Sequence, residues 1–380
     1  MKKISYLELS SLILTITISF NLGINLYILK NNTGINSWLT IIISYIIGLI
    51  PLLITLYISN YQPTLTIYEK NITLFGKTIG NIINITISFI LFIIAITLIY
   101  NVISFITTQF LYHTPMLISS ILLISLAAYA ATKEINVISH VSLILMTLNI
   151  IVFIISTTSL IKEINLDYLL PILKTDQSNI LITSIKITII NILPIIIILI
   201  IPKASITNQK KYHKSIIISY ITGMLITFII ITGTITTLGI YLTKTFEYSE
   251  YIVLKKIKLF GFLERIENIA STQWITETFI YLSLIIYSIA KSITHKKNDN
   301  KEELNYHKEN TPKKRFIYTC IIIGIIIIIT NNYLFTNITK FNNYIETTFI
   351  YIVSLLIPIY IIIGIKIRFI YLQKKYKKKP

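Results

Sequence analysis

The chain has 380 residues, of which 54% are hydrophobic and 13% charged, with a mean hydropathy of +0.74. A soluble domain carries about 25% charged residues, so a soluble enzyme is excluded for want of charged surface and a disordered scaffold for excess of apolar residues. The net charge of +18 does not point to nucleic acid, because the basic residues fall mostly in the gaps between apolar runs, as membrane topology dictates.

The apolar runs are continuous over ~20 residues rather than alternating over ~10, which predicts an all-α polytopic membrane protein and not a β-barrel. Ten spans are predicted, at 7–29, 38–59, 79–111, 115–131, 137–160, 180–201, 215–242, 269–293, 316–335 and 344–371. At a rise of about 1.5 Å per residue each can cross a core of ~30 Å, the fourth only just. The start resembles a signal peptide, with Lys2 and Lys3 before an apolar stretch, but no small-residue cleavage site follows, and a retained first helix is predicted. Lysines crowd the even-numbered gaps, the loop 291–315 and the tail 372–380, which predicts that both termini are cytoplasmic. The segments 162–179 and 243–268 mix aromatic and charged residues and are predicted to lie at the membrane surface; 295–314 reads as a polar connector.

No catalytic motif is evident: there is no Gly-rich phosphate loop, no nucleophile motif and no set of metal ligands at useful spacing, so no enzyme activity, cofactor or metal is expected. Cys320 is the single cysteine and reads as a packing residue, and the five histidines are scattered, His140 alone lying in a span.

Polar breaks inside the spans are more informative. Span 1 carries Asn21, Gly23 and Asn25 from its middle outward, and span 6 carries Asn191 and Pro194 near its middle. Amides are costly against lipid but suit a helix that unwinds to line a cavity. An ordinary kink with interhelical amide contacts would use the same residues. Spans 1 and 6 each open a five-span half (7–160 and 180–371), so the pattern predicts an inverted five-plus-five transporter-like repeat with its ligand site at the breaks. Glu277 in span 8 is an intramembrane carboxylate and hence a ligand-site candidate. Tyr100 in span 3, with Asn101 beside it, is a candidate to close over a ligand. Lys186 in span 6 is either a snorkelling side chain or a charge-coupling group.

Several stretches resemble the B subunit of Ger-type spore germinant receptors, a branch of the amino acid–polyamine–organocation transporter superfamily. They are Gly34-Ile35-Asn36-Ser37-Trp38, Thr114-Pro115, Ala127-Ala128-Tyr129-Ala130-Ala131-Thr132-Lys133, Tyr168-Leu169-Leu170-Pro171-Ile172-Leu173, and Gly261-Phe262-Leu263-Glu264-Arg265-Ile266-Glu267 with Trp274 after it. The resemblance implies a membrane subunit that binds a small nutrient germinant, such as an amino acid, in the spore inner membrane and acts with A and C partner subunits. A free-standing amino-acid permease or symporter of the same fold is the alternative. The resemblance also implies a structural or partner-contacting role for Glu264, Arg265, Glu267 and Trp274. Relatives are glycine-rich at the span 1 break, where this chain has only Gly23 between Asn21 and Asn25.

Overall fold

A bilayer offers backbone groups no water, so apolar runs of this length must satisfy every N–H and C=O internally, and they do so as helices. The computed structural model describes residues 3–171, 176–257, 266–294, 313–335 and 337–376. Among the described residues extended pairing is limited to one bridge, between Ile4 and Ile206. The helices are α1 (Tyr6–Ile18), α2 (Ile24–Asn32), α3 (Ser37–Asn60), α4 (Ile67–Gln109), α5 (Met116–Thr132), α6 (Ile135–Leu160), α7 (Gln177–Asn191), α8 (Tyr212–Thr245), α9 (Ser249–Leu254), α10 (Ile266–Thr294), α11 (Lys313–Leu334), α12 (Ile338–Tyr344), α13 (Ile350–Ser354) and α14 (Leu356–Tyr376). Among the described residues 8 helical stretches are long and apolar enough to cross a membrane, and two shorter apolar helices, Tyr6–Ile18 and Met116–Thr132, stand where spans 1 and 4 are predicted. The protein is an all-α polytopic membrane protein.

The helix α1 is the axis of the bundle. Every residue from Leu12 to Ile18 is buried, which an ordinary lipid-facing helix with one apolar stripe would not achieve. Its start is fixed by a capping box, in which Ser5 and Glu8 exchange side-chain and backbone bonds. The α8 backbone can come close because Gly223 faces Thr17; a Cβ there would collide with the threonine hydroxyl. The α3–α7 contact is sealed by side-chain hydroxyls on backbone carbonyls: Thr188 to Ser44 at 2.7 Å and Ser184 to Thr40 at 3.0 Å. The outward faces of α3, α6 and α11 expose Ile46, Ile50, Leu53, Ile144, Leu148, Ile151, Ile322, Ile326 and Ile329. That belt is stable only against lipid or partner helices.

Both predicted breaks are present. Span 1 unwinds between α1 and α2, and span 6 changes at Ile192 from α7 into a 3-10 helix, Leu193–Ile200. Pro194 has no N–H to return to the carbonyl four residues earlier, so the α-helical ladder fails there. Two further departures were not predicted. The loop expected before span 3 is a short helix that joins the span across a kink at Gly76 (φ +79°); Thr66 and Glu69 form a second capping box at its start, and Lys70 caps α3 by donating to the Ile58 carbonyl at 2.9 Å. The last span is not one helix: a π-turn, Ile345–Phe349, and a break at Leu355 interrupt it. Pro358 leaves the Ser354 carbonyl without its helical donor, which accounts for the break.

Candidate functional site

The site begins with a positive φ. Gly23 sits at φ +69° and ends the unwound turn before α2. A Cβ at Gly23 would lie 2.9 Å from Asn101 Oδ1 and 3.1 Å from the Tyr248 ring, so conformation and space both demand glycine. The turn is held by side chains from three distant elements. Asn101 of α4 donates to the Leu22 carbonyl at 2.7 Å. Asn21 donates to Thr227 Oγ1 of α8 at 3.0 Å and accepts from Asn25 Nδ2 at 2.9 Å. The Gly23 N–H donates to the Glu250 carboxylate of α9.

The helix α9 is the surprise of this region. The segment 243–268 is predicted at the membrane surface, yet Tyr248, Ser249, Glu250, Tyr251, Val253 and Leu254 are buried. Aromatic packing draws it inward: the Phe105 ring lies 5.2 Å from both Tyr248 and Tyr251 and 5.5 Å from Trp274. The Tyr248 hydroxyl donates to the Asn101 carbonyl at 3.3 Å. Thus α9 and Asn101 clasp the span 1 break from two sides.

A cavity of about 70 Å³ lies beside the break, walled by α1, α6, α8, α9 and α10. Asn21, Asn149, Glu250, Gln273, Trp274 and Glu277 contribute to a wall that is otherwise mostly apolar. Glu250 and Glu277 are 3% and 5% exposed. Glu250 Oε2 has no partner, and Glu277 makes no hydrogen bond or ion pair among the described residues. A buried carboxylate whose bonding capacity is left unfilled is costly. Glu250 lies between spans, and burial pushes its carboxyl up to about 7, against the pull of the Gly23 N–H and the Lys30 charge. On the same helix as Glu277, Thr276 hydrogen-bonds Asn149 of α6 at 3.0 Å, and Gln273 donates to the Asn149 carbonyl at 3.0 Å.

Of the ligand-site candidates the structure therefore gathers Asn21 and Glu277 at one cavity, with Gly23 and Asn25 next to Asn21; Trp274, expected in a structural or partner-contacting role, lines the same cavity. It does not bring the other candidates there. Tyr100 packs at a tilt against Phe335 and Phe341, at ring distances of 4.9 and 4.5 Å. Asn191 is wholly buried but off the cavity, and neither Oδ1 nor Nδ2 has a partner. Pro194 shapes the 3-10 segment, where the Tyr360 hydroxyl donates to the Leu193 carbonyl at 2.9 Å. Lys186 is half-buried on α7, away from the cavity. Glu267 is buried at the start of α10, while Glu264 and Arg265 lie outside the described residues. His140, the histidine within a span, meets Glu8 at 3.0 Å. Sequence reasoning missed Glu250, Asn101 and Asn149 as site residues; an amide inside an apolar run was the available signal for the last two, and Glu250 had none beyond its aromatic neighbours.

Among curated proteins none matches this chain. A family model described as spore germination protein matches residues 3–334, from the first capping box to the end of α11 and so across the whole cavity wall. The chain belongs to the spore germination protein family.

Proposed function

We propose that this chain is the nutrient-binding membrane subunit of a spore germinant receptor. It takes a small nutrient, an amino acid or a compound like one, into the cavity beside the span 1 break. It acts with A and C partner subunits in the spore inner membrane, with both termini on the core side. The observation that carries this reading is the convergence of α4, α8 and α9 on the unwound turn. A ligand in the cavity touches Asn21 and Glu250, and both already hold that turn. Binding thereby biases how α9 and α8 sit on α1, a change that partners can read. The paired breaks of spans 1 and 6 support a five-plus-five inverted repeat as the frame for this shift.

The test is germination of spores carrying Asn21→Ala or Trp274→Ala at matched receptor levels. Losing one buried hydrogen-bond partner costs about 1–3 kcal/mol, or roughly 5- to 150-fold in the nutrient concentration for half-maximal response. Unchanged concentration dependence in both variants removes the cavity from nutrient sensing. A permease reading draws on Glu250, whose carboxyl, raised to about 7, suits proton coupling. Uptake of labelled amino acid by the purified chain alone in proteoliposomes would establish that reading instead.

A further inference from the structure

We infer that the cavity selects an organic cation, a small ligand with a free ammonium group and a short apolar body but no free carboxylate. This rests on the reading of the cavity as the nutrient site and narrows the nutrient there from an amino acid to an amine or amino-acid derivative without a free carboxylate. Two carboxylates, each more than nine-tenths buried, line one small cavity. Glu250 spends Oε1 on the Gly23 N–H and, among the described residues, leaves Oε2 unpartnered, while Glu277 makes no hydrogen bond or ion pair there. No lysine, arginine or histidine lines the cavity among the described residues. Lys30, the cation close enough to act on Glu250, is not on the wall, and its Nζ donates to the Phe246 carbonyl at 2.6 Å.

An ammonium supplies what this wall lacks, one positive charge and three donors for the carboxylate oxygens. A ligand carboxylate meets the opposite situation. Its natural partner at an unwound helix is a free backbone N–H at the start of the next helical piece. Here that donor, Gly23 N–H, already serves the protein's own Glu250. A second anion would meet two acidic groups and, among the described residues, no base to offset its charge. The rest of the ligand meets Ile18, Ile226, Ile230, Val253 and Trp274, which accept a short hydrocarbon chain and reward its burial.

The test uses the purified full chain in detergent at pH 8 and four probes sharing one short apolar body: propylamine, 2-aminobutyramide, 2-aminobutyrate and N-propylacetamide. Calorimetry should show propylamine and the amide binding at least about tenfold tighter than the zwitterion, with the uncharged acetamide failing to compete. Glu277→Gln should weaken propylamine at least about tenfold. If that variant does not fold, Glu277→Asp, which keeps the charge, should preserve the order of the four probes. Equal or tighter binding of 2-aminobutyrate, or propylamine binding indifferent to Glu277→Gln, overturns the inference. If 2-aminobutyrate binds best and Asn21→Ala weakens it, the cation inference falls while the nutrient site stands. If none of the four binds and Asn21→Ala and Trp274→Ala spores respond normally, both fall.

Discussion

Spans 1 and 6 are both broken near their middles, and they are broken by different means. The turn in span 1 is polar and held by side chains from elsewhere: Asn101, Thr227, Asn25 and Glu250 all bond to it. The break in span 6 is mostly apolar and held chiefly by packing, with one side-chain bond, from the Tyr360 hydroxyl to the Leu193 carbonyl. Leu193–Ile200 is buried throughout, Gly48 lets α3 press against Ile192, and the side-chain amide there, Asn191, finds no partner among the described residues. A break stabilised by specific bonds can change state when one bond is exchanged for a ligand contact. A break stabilised by close packing resists such change, because interiors are dense and tolerate little rearrangement. Under the proposed function the contrast gives sensing to span 1 and support to span 6, and it can be attacked from either side.

The heaviest blow should come at Gly23. Gly23→Leu forces a side chain into a positive-φ position already touched by Asn101 and Tyr248. The expected outcome is no germinant response at any nutrient concentration, with α9 displaced. Accessibility of a cysteine introduced at Ser249, in a Cys320→Ser background, reports that displacement. A normal response from Gly23→Leu spores would mean that the turn does not take part in sensing.

Next in size is Asn101→Ala, which strips the Leu22 carbonyl of its donor. Leaving that buried carbonyl unpaired should cost about 1–3 kcal/mol. A fall in thermal stability together with a right-shifted germination response is expected. A stability loss with an unshifted response would make Asn101 scaffold alone, and would narrow the sensing element to Asn21 and α9.

These residues also show what the sequence could reveal. The breaks were legible because amides, a glycine and a proline inside isoleucine-rich runs break the local rule for a lipid-facing helix. Glu277 was legible because a carboxylate within a span is expensive. What stayed hidden was tertiary. Glu250 finds its partner 227 residues away, at a backbone N–H that leaves no mark on composition or period. Tyr100 and Asn101 are neighbours, but successive helical residues point about 100° apart, so one faces the aromatic cluster and the other the break. The buried state of α9 follows from Tyr248 and Tyr251 packing on Phe105, and a surface segment with tyrosines looks the same in sequence. The family resemblance located the whole chain but not the cavity wall, which the comparison of side chains in space alone defines.

A gentler perturbation is pH. The Glu250 carboxyl is raised from 4.5 to about 7 by burial, with Gly23 and Lys30 opposing and Glu247 adding to the rise. Between those values the folded protein holds a proton that the unfolded chain has lost, so stability falls as pH climbs through that window and levels off above it. Melting of the detergent-solubilised protein should therefore drop from pH 5 to pH 8, and Glu250→Gln should flatten the slope. A slope unchanged by Glu250→Gln would place the titrating group elsewhere and detach α9 from it.

The smallest expected effect is the sharpest check on span 6. Asn191 is fully buried, and both ends of its amide lack partners. Such a group contributes nothing by bonding and carries the full cost of its desolvation, about 1–3 kcal/mol. Asn191→Leu replaces it with an apolar side chain of similar size beside the buried residues Leu193–Ile200. The variant should melt at the same temperature or slightly higher, and its spores should respond to nutrient with an unchanged concentration dependence. A lost or shifted response at normal receptor levels would mean that a ligand, water or ion reaches the idle amide during sensing. In that case the two breaks form one site, as the sequence predicts, and the division of labour between spans 1 and 6 fails.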